Sequence, residues 1–565
     1  MNIAWTFLAM AAALFVGWSI LRIFWPAGSH GRDLALIVIR LCLALGVGQA
    51  VAAVHYLAWR VACSQVGLLY KLADCLLIPV LAWVAANFVR RSERTGRRVD
   101  RTTDKSIYPS TDRSACPTTD EHGCPTTDKH VCPTGASASP LFIGRLSMGF
   151  LLLMTALVVS TALCICLARD CYEPLGAWDG WAIWNLKARF LFRAGSDWTA
   201  MFSRHIWFSH PDYPLLIPAS VARFWTYLQA ETPLAPQLLS ITYTTLVVAL
   251  LFASLAWLRG LVAACLAVIL LVSYEPFLSY GGAQMSDIPL SFYVLAAVVV
   301  LAVAGRRSRI RGRLILLAGV LLGCALTVKN EAQAVTLSLL CAMALVAKFA
   351  RRWFGVPHSG GSADSSGASA LAGPEHQTDR VSGRPARALA LHWVLRVSPL
   401  LLLLGALPFL LALAAQKLCF AGSSYLVADQ PSTQAVLQKM LDPGRHQTIL
   451  QFLLTYDVGF HLWRPFTSVP VSIALPNQPS LLLLPALPLI CGLRNAPRDR
   501  RSALTGAIAI ALAFVMYYAV FLVMPYELAN LLESFPRVQL HLWPALILTV
   551  LLVTRVERDN TTNSL

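Results

Sequence analysis

Charged residues are scarce in this chain: only 13% of its 565 residues are Asp, Glu, Lys or Arg. A soluble globular protein carries about 25% charged residues, so this scarcity excludes a water-soluble enzyme. Acidic residues are scarcer than basic ones, with 29 Asp and Glu against 46 Lys and Arg and a formal net charge of +17. The basic residues fall in short clusters between apolar runs, without a recognition motif, so we expect no nucleic-acid partner.

Paired metal-ligand cysteines and a compact disulfide spacing are also missing. The 14 cysteines follow neither pattern, and several lie inside apolar runs, where cysteine behaves as a small hydrophobic residue. Residues 116–134 contain a repeated Cys-Pro-Thr-Thr-Asp unit. Each unit offers no CxxC pair to close a tetrahedral site, so we interpret the repeat as an expanded linker, with a metal-holding Cys/His tract as the alternative.

Long apolar runs are abundant. A run of about 18 apolar residues is long enough to cross a hydrocarbon core. About thirteen such runs predict an all-α polytopic membrane protein, and they lie at residues 3–24, 33–57, 66–89, 141–168, 236–257, 261–280, 286–304, 313–329, 332–350, 389–415, 480–493, 503–524 and 539–555. The first run lacks a basic segment before it and a small-residue cleavage site after it, so we expect a retained anchor.

The basic clusters predict the orientation, because short loops rich in Lys and Arg stay in the cytoplasm. The clusters at 90–98, 306–313, 348–352 and 494–501 fall on one side when the thirteen runs are threaded in order. The outer side then contains the segments 169–235, 281–287, 329–331, 416–479 and 525–538. We expect any site to be built from these outer segments.

Composition also divides the chain into parts. We predict three leading spans at 1–90, a cytoplasmic linker at 91–140, a membrane core at 141–350 with its first outer loop at 169–235, a flexible Gly- and Ser-rich loop at 351–388, further spans at 389–555 and a tail at 556–565. The outer loop 416–479 carries aromatic and polar residues. It would suit either acceptor recognition or a lid packed on the bundle.

Residues 171–193 predict an amphipathic helix that lies in the outer membrane interface. One face carries Trp181, Trp184, Ala188 and Leu191, and the opposite face carries Asp179, Lys187, Arg189 and Arg193. Asp179 falls in the first turn. It is either a reactive carboxylate or only an N-terminal helix residue.

Further ionisable residues stand near the outer ends of spans. In His210-Pro-Asp212-Tyr213-Pro214 the two prolines would present the acid and the aromatic rigidly, unless the motif is only a turn. Four more such residues adjoin apolar runs, where charge is costly and often functional: Asp287, Lys329, Glu331 and Arg537. Taken singly, each residue could be a helix cap or could neutralise a neighbouring charge. Taken together, the four residues favour a functional site.

These residue types suit transfer of a sugar from a polyprenyl phosphate to an acceptor hydroxyl. The leaving group is already an ionised phosphate, so one carboxylate that takes the acceptor proton is sufficient. Fixed cations would stabilise the phosphate, and Lys187, Arg189, Lys329 and Arg537 are the candidates.

The motif Trp178-Asp179-Gly180-Trp181, followed by Lys187 and Arg189, resembles the acidic juxtamembrane helix of the GT-C membrane glycosyltransferases. That family includes the aminoarabinose lipid A transferases and the protein O-mannosyltransferases. The other motifs named above are similar to further family motifs, and the resemblance covers about 141–555. It implies a GT-C-like bundle of about thirteen transmembrane helices with an outer-face juxtamembrane helix, in a bacterial inner membrane, with the active site facing the periplasm.

The resemblance also implies roles. Asp179 would be the base of an inverting single displacement, with Asp212 or Glu173 as its helper. The substrate would be bound by Lys187, Arg189, His210, Tyr213, Asp287, Lys329, Glu331 and Arg537. The implied partners are a polyprenyl-phosphate sugar donor, a lipid, glycan or protein acceptor, and membrane lipids. Many relatives carry two adjacent acids where this chain has Asp179 and Gly180. We therefore assign no metal ligand and no cofactor, and leave a divalent cation open.

Three other classes compete with this interpretation. A lipid-linked polysaccharide ligase or polymerase would depend mainly on Arg and His in a large outer loop and would tolerate loss of Asp179. A secondary transporter would place its ionisable residues near the midplane of broken helices, often in two matching halves. A non-catalytic scaffold would not need the interfacial helix with its acidic and basic residues.

Overall fold

The computed structural model describes residues 2–26, 33–63, 65–105, 140–354, 383–421, 432–458, 484–494, 497–524 and 534–556. The α-helices of the first half are α1 (Asn2–Phe24), α2 (Leu34–Ala62), α3 (Leu68–Leu72), α4 (Ile78–Lys105), α5 (Pro140–Tyr172), α6 (Leu186–Arg193), α7 (Leu216–Leu228), α8 (Leu234–Arg259), α9 (Leu261–Val272) and α10 (Glu275–Gly281). The Cys-Pro-Thr-Thr-Asp repeat and most of the predicted loop 351–388 lie outside the described residues.

The second half continues the bundle. Its helices are α11 (Asp287–Arg306), α12 (Arg311–Leu326), α13 (Ala332–Phe354), α14 (Gly383–Cys419), α15 (Thr433–Leu441), α16 (Pro443–Val458), α17 (Leu487–Cys491), α18 (Pro497–Val523) and α19 (Phe535–Val553). α11 and α19 lie at the centre of the bundle, where nearly all of their side chains are buried.

Across the described ranges, ten helices are long and apolar enough to cross a membrane, or eleven if α9 and α10 form one bent span. The prediction of a polytopic helical membrane protein is confirmed, with fewer full-length spans than the thirteen apolar runs suggested. The run 313–329 forms α12, which has only 16 residues. The described part of the run 480–493 contains a short 3₁₀ turn and the five-residue helix α17.

The run 261–280 is not one straight helix, because the chain bends by 71° between α9 and α10. Tyr274 has an extended backbone there, with ψ of 109°. Pro276 follows in the first turn of α10, where its missing N–H group is tolerated, whereas it would break a continuous helix. The bend turns α10 toward the end of the bundle at which α11 begins.

The first two helices approach each other backbone to backbone. A Cβ atom placed on Gly48 of α2 would lie 1.8 Å from the carbonyl oxygen of Ala13 on α1. A Cβ atom on Gly17 of α1 would lie equally close to the carbonyl oxygen of Ala44. Small residues at such contacts let membrane helices pack closely.

We expect Gly48→Ala to destabilise the protein by about 1–3 kcal/mol, because the added methyl group overpacks a backbone contact that cannot yield without moving α1. Thermal unfolding of the purified protein in detergent would measure the effect. The control is Gly149→Ala on α5, where a Cβ atom meets nothing within 4 Å. Equal unfolding midpoints for the two variants would contradict a close α1–α2 contact.

The two kinds of charged cluster that the sequence predicted on opposite sides lie at opposite ends of α11. At its last residue, Arg306 forms an ion pair of 2.8 Å with Asp499, which also pairs with Arg494 at 3.2 Å. At its first residue, Asp287 meets Lys329 and Arg537. The basic loops and the mixed acid and base groups are therefore separated by the length of one helix.

The leading helices are tied to the rest of the bundle by a buried ion pair. A π-helical turn, Ala73–Leu77, joins α3 to α4 and carries Asp74. Asp74 contacts Arg223 of α7 at 2.7 Å and also accepts a hydrogen bond from Tyr227 at 2.7 Å. His55 of α2 lies 3.1 Å from the same carboxylate. Since α7 follows the His210–Pro214 motif directly, this contact connects the leading spans to the segment that carries Asp212.

Candidate active site

Asp287 is the centre of the first group of ionisable residues. It begins α11 and is fully buried. Its carboxylate lies 2.9 Å from Lys329 Nζ, 3.2 Å from Arg537 Nη2 and 2.8 Å from His541 Nε2. Lys329 comes from the turn between α12 and α13, whereas Arg537 and His541 lie on α19. Three elements that are distant in the sequence thus meet at one carboxylate.

Arg537 joins Asp179 to this group. Its Nη2 atom lies 2.6 Å from Asp179 Oδ2, and both side chains are less than one-fifth exposed. Lys329 extends the chain of contacts to Glu331 at 3.1 Å. The predicted residues Asp179, Asp287, Lys329, Glu331 and Arg537 therefore form one continuous set of ion pairs, which with His541 we call the Asp287 cluster.

A second group surrounds Asp212, which is 5% exposed. Its Oδ2 atom accepts a hydrogen bond of 2.7 Å from Asn330 and lies 3.6 Å from Lys417 Nζ. Its Oδ1 atom is buried and has no hydrogen-bond partner among the described residues. Because Asn330 stands between Lys329 and Glu331, the turn between α12 and α13 links this group directly to the Asp287 cluster.

Lys187 and its neighbours complete the second group. Lys187 donates a hydrogen bond to the backbone oxygen of His210, and its ammonium lies 5.7 Å from the centre of the Tyr213 ring. The Tyr213 ring stacks on His210 at 4.7 Å and on Trp184 at 5.6 Å. We call Asp212, Asn330, Lys417, Lys187, His210 and Tyr213 the Asp212 cluster.

The predicted amphipathic helix is correct for one face and wrong for Lys187. Trp184, Ala188 and Leu191 are fully buried, while Trp181 is 38% exposed. Lys187 was expected on the polar face, but it is fully buried as well. The reason is the helical spacing itself: Lys187 and Leu191 are four residues apart in α6, and residues four apart lie on the same face of a helix.

Burial changes the electrostatics of this group. The pKa of Lys187 falls to about 7 because its ammonium is desolvated; Asp212 opposes this shift and Lys417 adds to it. Burial likewise lowers the pKa of His210, and the nearby charge of Lys187 lowers it further. The Asp212 cluster therefore holds a lysine that gains and loses its proton near neutral pH.

Two predicted site residues have partners elsewhere. Glu173 pairs with Arg169 of α5 at 3.8 Å, and Arg189 pairs with Glu231, in the turn before α8, at 3.6 Å. Arg193 also binds Glu231. Within the described ranges, neither Glu173 nor Arg189 forms an ion pair with a member of the two clusters.

Position 180 is glycine in this chain, where many relatives carry a second acid, and the structure gives a steric reason for the glycine. A Cβ atom at position 180 would lie 2.8 Å from the backbone oxygen of Ala283, so a second acid beside Asp179 does not fit this backbone. The same holds at Gly176, whose φ of +79° also favours glycine. In the part of the chain that the structure describes, no three His, Cys, Asp or Glu side chains are grouped as metal ligands.

A buried polar network holds this backbone in place. Asn185 donates to the side chain of Gln284 at 3.0 Å, and Gln284 donates to Asp170 at 2.8 Å and to the backbone oxygen of Pro174 at 3.2 Å. Gln284 itself has a left-handed backbone, with φ of 56°. The network fixes the start of the helical segment that carries Asp179 against the loop before α11.

Sequence reasoning missed several members of the site. His541 lies inside a predicted span, and an ionisable residue inside an apolar run was the signal that could have identified it. Lys417 lies two residues after the last residue of the predicted span 389–415, and Lys329 is the last residue of the predicted span 313–329. No comparable signal pointed to Asp170 or Gln284, whose contact joins residues 114 positions apart.

The loop 416–479, which was predicted to lie on the outer side, is only partly described. Residues 432–458 form α15 and α16. Five of its aromatic and polar residues lie outside the described residues: Tyr425, Asp429, His461, Trp463 and Arg464. The choice between acceptor recognition and a lid therefore stays a prediction.

Comparison with known proteins gives one family. Residues 199–421 match the model of the dolichyl-phosphate-mannose-protein mannosyltransferases, a GT-C family. The match begins after α6 and ends after α14, so it contains Asp212, Asp287, Lys329, Glu331 and Lys417 but neither Asp179 nor Arg537. No curated protein and no solved structure matches. The family match confirms the resemblance to GT-C membrane glycosyltransferases and supports an enzyme that uses a lipid-linked sugar donor.

Proposed function

We propose that this chain transfers a sugar, mannose according to the matched family, from a polyprenyl-phosphate donor to an acceptor hydroxyl at the periplasmic face of a bacterial inner membrane. The observation that carries the proposal is the meeting of Asp179, Arg537 and Asp287 beside Asp212 and Lys417, all at one end of the membrane helices. A carboxylate beside fixed cations at that depth suits a reaction between a membrane lipid and an acceptor outside it.

The distribution of charge suggests where the donor phosphate lies. The Asp287 cluster holds three carboxylates and two cations besides His541, so it has one negative charge in excess. The Asp212 cluster holds one carboxylate and two lysines, so it has one positive charge in excess when both lysines are protonated. An anionic phosphate would therefore bind beside Lys187 and Lys417, and the base would act from the Asp287 cluster.

In the proposed reaction the acceptor oxygen attacks the anomeric carbon while the bond from that carbon to the phosphate oxygen breaks. The polyprenyl phosphate leaves with the electron pair, and the acceptor proton passes to Asp179. Arg537 holds Asp179 through one oxygen at 2.6 Å and is itself held by Asp287, so the carboxylate is positioned before the substrate arrives. Attack from the face opposite the phosphate inverts the anomeric centre.

The surface beside Asp179 supports a lipid or sugar substrate. Trp178 is 60% exposed and Trp181 is 38% exposed, and their rings meet edge to face at 4.7 Å. Exposed indoles are typical of the membrane interface, and they also stack on apolar faces of sugars. Asp212 takes the helper role in this proposal and Glu173 does not, because only Asp212 contacts the shared turn at Asn330.

We expect donor affinity to depend on the protonation of Lys187. Below its pKa of about 7 the side chain is a cation that attracts the donor phosphate, and above that value it becomes neutral. The donor KM of the wild type should therefore rise as the pH increases from about 6 to about 8, whereas Lys187→Arg should show a flat profile because arginine stays charged. Parallel profiles for the two proteins would contradict a role of Lys187 in phosphate binding.

The function itself is tested by label transfer. Purified protein in detergent is supplied with radiolabelled polyprenyl-phosphate mannose or with nucleotide-linked mannose, and the label is followed into lipid, glycan and protein fractions. Transfer from the polyprenyl donor alone, lost in Asp179→Asn, is the expected result, and the labelled fraction would name the acceptor class. Transfer that survives in Asp179→Asn would favour a ligase that depends on Arg and His. No transfer by the wild type would favour transport.

A further inference from the structure

A cavity of about 460 Å³ lies at the opposite end of the bundle from both clusters. Its lining residues come mainly from α11, α12, α13, α14 and α18, and the cavity is partly open. This volume is in the range of small-ligand sites, about 300–1,000 Å³. The mechanism proposed above uses no residue of this cavity.

One wall of the cavity is basic and polar. Arg306, Arg311 and Arg501 line it together with the hydroxyl-bearing residues Ser308, Ser502 and Thr505. Arg306 is bound by Asp499, while Arg311 donates to the neutral backbone oxygens of Ala304 and Gly305. Among the described side chains of 306–313 and 494–501 there are eight arginines and one carboxylate, Asp499. The local field is therefore strongly positive.

The other lining residues are mostly apolar. Val298 of α11 and Leu339 and Val346 of α13 line the cavity. A small soluble anion would gain no favourable contact from these apolar residues. A molecule with an anionic head and a hydrocarbon chain would contact both the basic and the apolar parts of the lining.

We propose that this cavity binds one anionic phospholipid from the leaflet at the Arg306 end of the bundle. The phosphate lies between Arg311 and Arg501, and the hydroxyl groups of Ser308, Ser502 and Thr505 donate to its oxygens. One acyl chain follows Val298 and Leu339 along α11 and α13. The position at the end of membrane-spanning helices matches the depth of lipid headgroups, and the arginines match their charge.

The probe is phosphatidylglycerol, with phosphatidylcholine as the neutral comparison. The full chain is incubated with mixed vesicles of the two lipids, released in detergent and weighed by native mass spectrometry. We expect the wild type to retain one phosphatidylglycerol in preference to phosphatidylcholine. Arg311→Gln and Arg501→Gln should each weaken this retention about fivefold, because each removes one cation from the headgroup site.

Matched controls separate a cavity from general surface charge. Arg309 and Arg500 are exposed neighbours that do not line the cavity, so Arg309→Gln and Arg500→Gln should change retention less than twofold. Ala347→Trp fills the cavity from α13 without changing the charge and should also lower retention. If that variant unfolds, the four arginine variants still decide the question.

Three results would overturn the proposal. Equal retention of the two lipids would remove the anionic preference, and equal losses in all four arginine variants would leave only a diffuse basic surface. Displacement of the lipid by inorganic phosphate at comparable concentration would identify a site for a free anion. Sugar transfer is not the readout, so failure of this proposal leaves the proposed function untouched.

Discussion

Asp179→Asn is expected to reduce sugar transfer by about 10²- to 10⁴-fold, the usual contribution of a positioned general base. Asparagine keeps the shape of the side chain and a hydrogen-bond acceptor for Arg537, but it cannot take the acceptor proton. The donor KM should change little, because the phosphate is proposed to bind at the Asp212 cluster. Initial rates at saturating donor, with matched amounts of folded protein, would measure the loss.

The matched control is Asp197→Asn. Asp197 is exposed, lies in the same outer segment and undergoes the same chemical change, so its variant should keep wild-type activity. Arg537→Lys gives an intermediate test, because lysine preserves the charge but loses the guanidinium whose Nη2 atom contacts both Asp179 and Asp287. Asp179→Asn with undiminished activity would exclude Asp179 as the base and leave either Asp212 in that role or a ligase that depends on Arg and His.

Asp287→Asn should destabilise the folded protein by about 3–5 kcal/mol, the usual cost of breaking a buried ion pair by removing one partner. The carboxylate is fully buried and pairs with both Lys329 and Arg537, so its loss removes one ion-pair partner from each cation and leaves Lys329 with Glu331 and Arg537 with Asp179. Thermal unfolding of the purified protein in detergent would report a lower midpoint.

A second substitution distinguishes this mechanism from general disruption. Lys329→Met removes one of the two cations that lose Asp287 as a partner, so Asp287→Asn combined with Lys329→Met should recover part of the lost stability. Glu275→Gln removes an exposed carboxylate at the start of α10 and should leave the midpoint unchanged. If Asp287→Asn unfolds no earlier than Glu275→Gln, Asp287 does not hold the cluster together.

The apolar runs and the basic clusters were sufficient to predict the membrane helices and the separation of the two kinds of charged group. Length and hydropathy are local properties, and a run of about 18 apolar residues has few structures other than a helix in a bilayer. Bends within the apolar runs were harder to predict. Pro276 was visible in the sequence, but the size of the bend, 71° between α9 and α10, appeared only in the structure.

The order of the acidic and basic motifs was sufficient to predict five members of one ion-pair chain, from Asp179 to Arg537. Each motif stands at a span end, and span ends on the same side of a membrane lie at a similar depth, where helix packing can bring some of them into contact. The same reasoning failed for Arg189, which binds Glu231 instead. A long, flexible side chain chooses its partner by tertiary contact, and the helical spacing alone does not fix that choice.

By itself, the sequence determined the fold class. It also determined the end of the bundle at which acidic and basic residues occur together and which residues these are. Only the tertiary structure decided what surrounds the buried Lys187, because the backbone oxygen of His210 and the ring of Tyr213 come from a later segment of the chain. It also decided that His541 reaches Asp287 across 254 residues and that Gly180 leaves no room for a second acid. Hydropathy acts along the chain, whereas ion pairing and steric fit act between segments that only folding brings together.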